Sequence, residues 1–199
     1  MSQTNTKFIH LPHYINSSLF NIVPNIKKEY DVFIYGNLSD FYPFRKRLFK
    51  LITNSSINYV HLPHPGYNED TDNINNNIII KQELSHIINK SKLTISTSSA
   101  FNYFIKKYLE ISLSGSIICG NFPTTEKNPY EDYMCYVNET MSDEEILDKI
   151  NHYINLPINE YNNIINNSYL ITKNNFIYEN ANDKFNKIME FIINENNQS

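Results

Sequence analysis

Glu110 is the residue in this sequence that is best suited to bind a ligand. Its carboxylate can accept hydrogen bonds from two neighbouring hydroxyl groups at once. On a predicted helix that ends near Leu113, the alternative is an exposed glutamate paired with Lys106 or Lys107, and the helix alone favours that alternative. The two lysines present a similar choice between an anion site and a solvated face.

Arg45 is a candidate for binding an anion. It follows the loop after the first predicted strand and lies near the start of the next predicted helix, where free main-chain amides attract negative charge. The alternative is a solvated basic face shared with Lys46, Arg47 and Lys50, an interpretation that suits the last three residues better than the first.

Small polar residues and glycines follow or precede the predicted strands. Ser98 and Ser99 could bond a phosphate or a sugar, or they could cap the next helix through its main-chain amides. Gly36 ends the first predicted strand and begins a loop where ligand contacts are expected. Gly115 precedes another strand, where it favours close packing of helix and strand more than ligand contact.

Other catalytic and metal motifs are absent from the sequence or weak. No serine has a Gly-x-Ser-x-Gly setting, and the chain has only four glycines, so it lacks a glycine-rich phosphate loop. Two His-x-x-His pairs, His10 with His13 and His61 with His64, could supply four imidazoles to zinc. Proline interrupts each pair at a strand end, so the sequence predicts no metal site.

Composition places the chain among globular domains. Its 199 residues are 41% hydrophobic and 19% charged, which suits one domain with a core that needs no disulfide. A net charge of −4 argues against nucleic-acid binding. No apolar run is long enough for a transmembrane segment or a signal peptide. We therefore predict a cytoplasmic protein, with Cys119 and Cys135 as buried free thiols.

Predicted strands alternate with predicted helices along the chain. A capping box at Ser142 and Glu145 opens a helical C-terminal third that breaks near Pro157 and again around 174–175. Such alternation requires crossover connections and predicts a parallel sheet covered on both faces. The strands are predicted at 31–35, 57–62, 93–96, 117–119 and 134–137, with a possible short strand at 78–80.

The predicted fold class is therefore α/β, with a single Rossmann-like, doubly wound parallel sheet and a helical C-terminal segment. Residues 31–199 form the domain, and residues 1–30 are a linker-like segment. Ligands of such sheets bind at the carboxyl ends of the strands, near the point where the strand order reverses. The loops expected to carry function are 36–45, 64–67, 97–110 and 120–125.

The segment 98–120 resembles the donor-site helix of GT-B glycosyltransferases. In their large retaining group, a serine precedes a Glu-x-Phe-Gly stretch, and a second glutamate begins a Glu-Ala-x-Ala-x-Gly run before a buried strand. Here Glu110 and Gly115 keep the spacing of five residues, and Ser99 and Phe104 occupy matching positions. Segments 30–37, 42–45, 64–67, 89–92 and 141–146 look similar to the C-terminal domain of spore-maturation-type glycosyltransferases, so the resemblance extends over about 8–193.

The resemblance implies a nucleotide-sugar-binding domain, one half of a GT-B fold. It implies that Glu110 binds the ribose hydroxyls and that Arg45 and Lys107 contact the diphosphate of a UDP- or GDP-sugar. By the same resemblance no cofactor or metal is needed beyond this donor substrate. The remaining donor-site residues that it implies are Ser98, Ser99, Asn102, Gly36 and Gly115.

Two departures from the family pattern leave an alternative open. Asn102 stands where the pattern has its first glutamate and cannot supply negative charge, and Ile105 replaces the glycine that follows. The sequence also holds one of the two expected domains, so acceptor contacts and catalytic groups would come from an N-terminal domain or a partner chain. The alternative is a catalytically degenerate GT-B half that acts as a protein-interaction module. An unrelated flavodoxin-like or small Rossmann domain is a third, weaker hypothesis.

Overall fold

The computed structural model describes residues 12–63 and 81–196, and five parallel strands in these ranges form one sheet. The strand order is β2-β1-β3-β4-β5, and every neighbouring pair is parallel. This confirms the predicted α/β class with a Rossmann-like sheet. The possible strand at 78–80 lies outside the described residues. The strands are β1 (Tyr30–Gly36), β2 (Tyr59–Pro63), β3 (Ser91–Ile95), β4 (Ile117–Gly120) and β5 (Met134–Tyr136).

Helices cover both faces of the sheet, as the alternation predicts. Ser142 caps α4 through the predicted box, because its hydroxyl accepts from the Glu145 amide at 3.2 Å and its own amide donates to the Glu145 carboxylate at 2.7 Å. The helices are α1 (Pro43–Thr53), α2 (Lys81–Asn89), α3 (Lys107–Leu113), α4 (Asp143–Ile154), α5 (Ile158–Asn175) and α6 (Tyr178–Asn196), with a 3₁₀ turn at Glu131–Tyr133.

Alternate residues of β1 pack into the two halves of the core, which lie on opposite faces of the sheet. Val32 and Ile34 pack with the apolar stripes of α1 and α4, whereas Phe33 and Tyr35 pack with α2 and α3 on the opposite face. Since α1 and α2 lie on opposite faces, the strand order reverses between β1 and β3. This topological switch point is the expected ligand site of the fold.

The chain before β1 packs against the C-terminal helices. Ile15 forms a parallel bridge with Ile177, and both Ile15 and Phe20 are buried in the half of the core that holds Phe33. The side chain of Lys28 ends among three main-chain carbonyls at the amino-terminal edge of the sheet, those of Asn89, Ser91 and Gly115. These contacts join the segment before β1 to the sheet.

We expect Lys28 to make stability depend on pH. Burial lowers the pKa of Lys28 to about 8, from 10.5. Between about pH 8 and 10 the unfolded chain keeps a proton that the folded chain has released, so stability rises with pH. Relative to Lys28→Met, the free energy of unfolding should increase by about 1–2 kcal/mol over this window in urea titrations. A difference that stays constant from pH 7 to 10 would contradict this prediction.

The two cysteines and the lengths of the helices bear on two other predictions. Cys119 and Cys135 are free and buried, as predicted, and they lie opposite each other in the register of β4 and β5. Within 12–63 and 81–196, no helix is both long and apolar enough to cross a membrane.

Candidate functional site

Arg45 connects the two loops that meet at the switch point. Its guanidinium donates to the carbonyl of Asn37, after β1, at 3.1 Å, and to that of Thr97, after β3, at 3.4 Å. It also stacks over the ring of Tyr42 at 4.0 Å, and the residue is only 1% exposed. A solvated basic face is therefore the wrong interpretation for Arg45.

The other basic residues of α1 do lie at the surface. Lys46 pairs with Asp40 at 3.0 Å, and Lys50 is exposed. Arg47 binds Asp143 at the start of α4, and its guanidinium also reaches nearby main-chain carbonyls. None of these three side chains is buried as Arg45 is, so a surface role suits them better than a place in the site.

Lys107, the first residue of α3, brings a second cation to the same place. Its ammonium donates to the carbonyl of Tyr35 and lies 3.6 Å from the centroid of the Tyr35 ring. Burial and the nearby charge of Arg45 hold the pKa of Lys107 well below its usual value, and the Glu110 carboxylate partly opposes them. An anion between the two cations would relieve this repulsion and favour the charged lysine.

Glu110 stands one turn further along α3. Its carboxylate accepts a 2.7 Å hydrogen bond from the hydroxyl of Tyr35. Burial and the Glu110 charge raise the pKa of Tyr35 well above its usual value, so the phenol remains a donor. Among the described residues Glu110 forms no ion pair with Lys106 or Lys107, and its second oxygen, Oε1, has no hydrogen-bond partner. That oxygen is available for a ligand.

Gly36 has no side chain, and the two cations approach the space that a side chain would fill. It has φ +88°, and a Cβ at this position would collide with the Lys107 ammonium and lie 3.7 Å from Nη1 of Arg45. The structure therefore brings together four of the predicted site residues, Gly36, Arg45, Lys107 and Glu110, around the side chain of Tyr35.

Ser98, Ser99 and Asn102 lie beside this cluster, around a cavity of about 310 Å³ at the carboxyl ends of β3, β4 and β5. The prediction that a helix follows these serines directly is wrong, because α3 begins only at Lys107. The two serines therefore do not cap it. The Ser99 hydroxyl instead accepts from the Phe101 amide at 3.2 Å in a local turn.

Asn102 holds the loop after β3 against the loop after β4. It has φ +52°, a conformation that asparagine tolerates better than most residues. Its side chain donates to the hydroxyl of Thr124 at 2.8 Å and accepts from the Thr124 amide at 3.1 Å. The side-chain amide of Asn102 thus helps to form the wall of the cavity.

Gly115 is not part of this site. It lies between α3 and β4, at the amino-terminal edge of the sheet, whereas the other predicted residues lie at the carboxyl edge. A Cβ on Gly115 would approach the side chain of Ile22 at 3.2 Å. Its role is close packing, now seen to be against the segment before β1.

Three side chains at the site are not among the predicted site residues: Tyr35, which binds Glu110, and Asn121 and Glu139, which line the cavity. The alternation of β1 places Tyr35 at the carboxyl edge of the sheet on the face of α3. Asn121 lies in a loop already expected to carry function, and Glu139 lies beyond β5, outside those loops. The sequence therefore carries a signal for Tyr35 and for Asn121, which directly follows a strand, but none for Glu139.

No group of three or more His, Cys, Asp or Glu residues that could hold a metal occurs in 12–63 or 81–196. Two of the four histidines in the His-x-x-His pairs, His10 and His64, lie outside these ranges. Of the other two, His61 packs against Phe49 with ring centroids 4.6 Å apart, and His13 lies 6.5 Å from the ring of Phe104.

Comparison with solved structures supports the fold. A sucrose-phosphate synthase from Thermosynechococcus elongatus superimposes with a TM-score of 0.63 at 10% identity, over 92% of this chain and 52% of the synthase. The chain has the fold of one Rossmann-like half of a GT-B structure. The N-terminal domain of a Candida albicans trehalose-6-phosphate phosphatase matches with a TM-score of 0.60 at 14% identity, over 82% of this chain and 43% of that one.

The GT-B-like chain spans about half the length of these structural relatives. No protein-family model matches its sequence, and no curated protein matches it either. At 10% and 14% identity the relatives establish the fold alone, so the chemistry of the site has to be argued from its own residues.

Proposed function

We propose that this chain is the donor-binding domain of a glycosyltransferase, which binds a UDP- or GDP-sugar at the switch point between β1 and β3. The observation that carries the proposal is the convergence of Arg45 and Lys107 on Gly36, directly beside the carboxylate of Glu110. Two cations and an acceptor of hydroxyl hydrogen bonds suit the diphosphate and the ribose of one ligand.

Each group has a distinct role in this proposal. Arg45 and Lys107 bind the diphosphate and stabilise the charge that develops on it as the sugar leaves, an effect that is often the largest in such catalysis. Glu110 accepts hydrogen bonds from the two ribose hydroxyls, and its bond from Tyr35 keeps the carboxylate oriented. Ser98, Ser99 and Asn102 line the neighbouring cavity for the sugar.

The acceptor side of the reaction belongs to another domain or a partner chain. Two aromatic side chains at the rim of the site, Phe41 and Phe101, are 58% and 69% exposed and stack on each other with centroids 5.9 Å apart. Exposed apolar groups next to a ligand site are typical of surfaces that contact a second component. We place that component over this aromatic pair.

Thermal unfolding with nucleotides tests the proposal. UDP or GDP at about a hundred times its dissociation constant should stabilise the chain by about 2.7 kcal/mol and raise the melting temperature by about 5–10 °C. ADP and NAD serve as comparison ligands and should shift it much less. Glu110→Ala should weaken binding of the effective nucleotide at least tenfold by calorimetry, because it removes a charged acceptor of ligand hydroxyls.

Tyr35→Phe is the matched control for Glu110→Ala. Both variants lose the same 2.7 Å hydrogen bond, but only the phenylalanine variant retains the carboxylate. Its nucleotide affinity should stay within about threefold of the wild type. Equal losses in the two variants would show that the bond is structural and that Glu110 does not bind ligand. Absence of binding by any nucleotide, with a stable partner protein recovered, would instead support the interaction-module hypothesis.

A further inference from the structure

The cavity beside the two cations has room for one small group. Its volume of about 310 Å³ is at the lower end for ligand pockets and is too small for a whole nucleotide sugar. Arg45 binds the carbonyl of Thr97, and the next residue, Ser98, lines the cavity. A ligand with its diphosphate on the cations would therefore direct its sugar into this cavity.

Asn121 fixes a carboxylate in the cavity wall. The side chain is buried, 5% exposed, and its carbonyl oxygen accepts from the main-chain amide of Ser98 at 2.8 Å. The NH₂ group then donates to the hydroxyl of Ser98 at 2.9 Å and to the carboxylate of Glu139 at 2.6 Å. Because the Ser98 amide can only donate, the orientation of Asn121 is determined, and Glu139 receives a charge-assisted bond.

The polar groups of the wall complement hydroxyl groups. The hydroxyl of Ser98 accepts from Asn121, and that of Thr124 accepts from Asn102 at 2.8 Å, so each still has its own proton to donate. The Glu139 carboxylate has further lone pairs to accept with. A sugar hydroxyl both donates and accepts, and it can bond to either kind of group.

Charge makes the cavity selective. Of the described residues that line it, Glu139 is the only one with a charge, and the site's cations lie next to the cavity rather than in its wall. We infer that Glu139 is a specificity-determining residue, which makes the cavity accept an uncharged, hydroxyl-rich sugar and reject a sugar that carries a carboxylate. The inference rests on the proposed function, and its basis is the repulsion between two like charges within one cavity, where Asn121 holds the Glu139 carboxylate although the residue as a whole is exposed.

Calorimetry with matched donors tests this role on the full chain. UDP-glucose carries a hydroxymethyl group where UDP-glucuronate carries a carboxylate, and the two donors are otherwise identical. GDP-mannose and GDP-mannuronate form the equivalent pair if GDP is the nucleotide bound. We expect the uncharged sugar donor to bind at least tenfold more tightly than the uronate. Glu139→Gln retains an acceptor for Asn121 and should reduce this gap to about twofold by improving uronate binding.

Glu144→Gln provides the control, because it changes the net charge equally on an exposed helix position that does not line the cavity. It should leave the gap unchanged. Equal wild-type affinities for the two donors, or a gap that persists in Glu139→Gln, would overturn the role of Glu139 while UDP or GDP binding continues to support the donor site. Failure of every nucleotide to bind would overturn the donor site and this role with it.

Discussion

Lys107→Met is expected to weaken the binding of UDP or GDP by about 100-fold without destabilising the empty protein. The ammonium contacts the end of β1 from the first turn of α3, in partly desolvated surroundings where a charge-assisted bond to phosphate is worth about 1.5–3 kcal/mol. Methionine has a similar length and retains the packing, but it cannot bond to the diphosphate. Calorimetric titration of the nucleotide measures the effect.

The stability of the empty protein separates a binding role for Lys107 from a structural one. Burial and Arg45 disfavour the charged amine, so its removal relieves repulsion and desolvation while it costs one hydrogen bond to the Tyr35 carbonyl. We expect the free energy of unfolding either to rise or, if it falls, to fall by no more than about 1 kcal/mol. A large loss of stability with unchanged nucleotide affinity would mean that Lys107 serves the fold.

Lys106→Met is the matched control for this experiment. The neighbouring lysine carries the same charge, but its ammonium lies 5.8 Å from the ring centroid of Tyr178 at the start of α6. Its replacement should change nucleotide affinity by no more than about twofold, because a half-buried charge outside the site contributes only a screened, long-range attraction. Equal effects of the two substitutions would indicate general electrostatic attraction rather than a defined phosphate contact.

The sheet could be predicted from the sequence because its signals are local. Short apolar runs end at Gly36, at Pro63 and at Gly120, and helical spacing fills the intervals. The capping box at Ser142 and Glu145 needs only residues three apart. Crossover geometry then converts this order of elements into a parallel sheet, since the handedness of such connections leaves few other arrangements.

The start of α3 could not be predicted because distant contacts determine it. Residues 100–106 have apolar positions at helical spacing, yet the amide of Ala100 donates to the carbonyl of Phe41 in the loop after β1. On the other side Asn102 is bound to Thr124, after β4. These tertiary bonds outweigh a local helical preference that is worth only tenths of a kcal/mol per residue.

The burial of Arg45 and the contact of Glu139 with the cavity wall could not be predicted for the same reason. Arg45 directly precedes Lys46 and Arg47, so the sequence alone leaves a solvated face open, and its burial depends on the carbonyl of Thr97, which is 52 residues away. Glu139 reaches the site through Asn121, on a different strand connection. Conversely, Glu110 and Gly115 keep the spacing of five residues that the resemblance rests on, but they do not lie at one site. Gly115 follows the end of α3 and lies at the opposite edge of the sheet from Glu110.

Gly120→Ala is expected to destabilise the protein strongly. Gly120 ends β4 with φ +147°, and a Cβ there would collide with the main-chain carbonyl of Ser96 and lie 3.4 Å from the methyl group of Thr97. Backbone strain of about 1–3 kcal/mol adds to an overpacking cost of similar size. The free energy of unfolding should fall by about 3–5 kcal/mol, and the melting temperature by about 10 °C or more.

Gly115→Ala tests whether the collision, rather than the backbone conformation, causes this loss. Gly115 also has positive φ, +65°, but its Cβ would meet the flexible side chain of Ile22, which can move by a few tenths of an ångström. A loss of about 1–2 kcal/mol is expected there.

Since Ser96 leads into Thr97 and Ser98, the clash at Gly120 must also displace the loop that carries the Arg45 contact and the cavity wall. Gly120→Ala should therefore lose nucleotide affinity at temperatures where it is still folded, whereas Gly115→Ala should retain it. Equal nucleotide affinities of the two variants would contradict a site that depends on this close approach of β3 and β4.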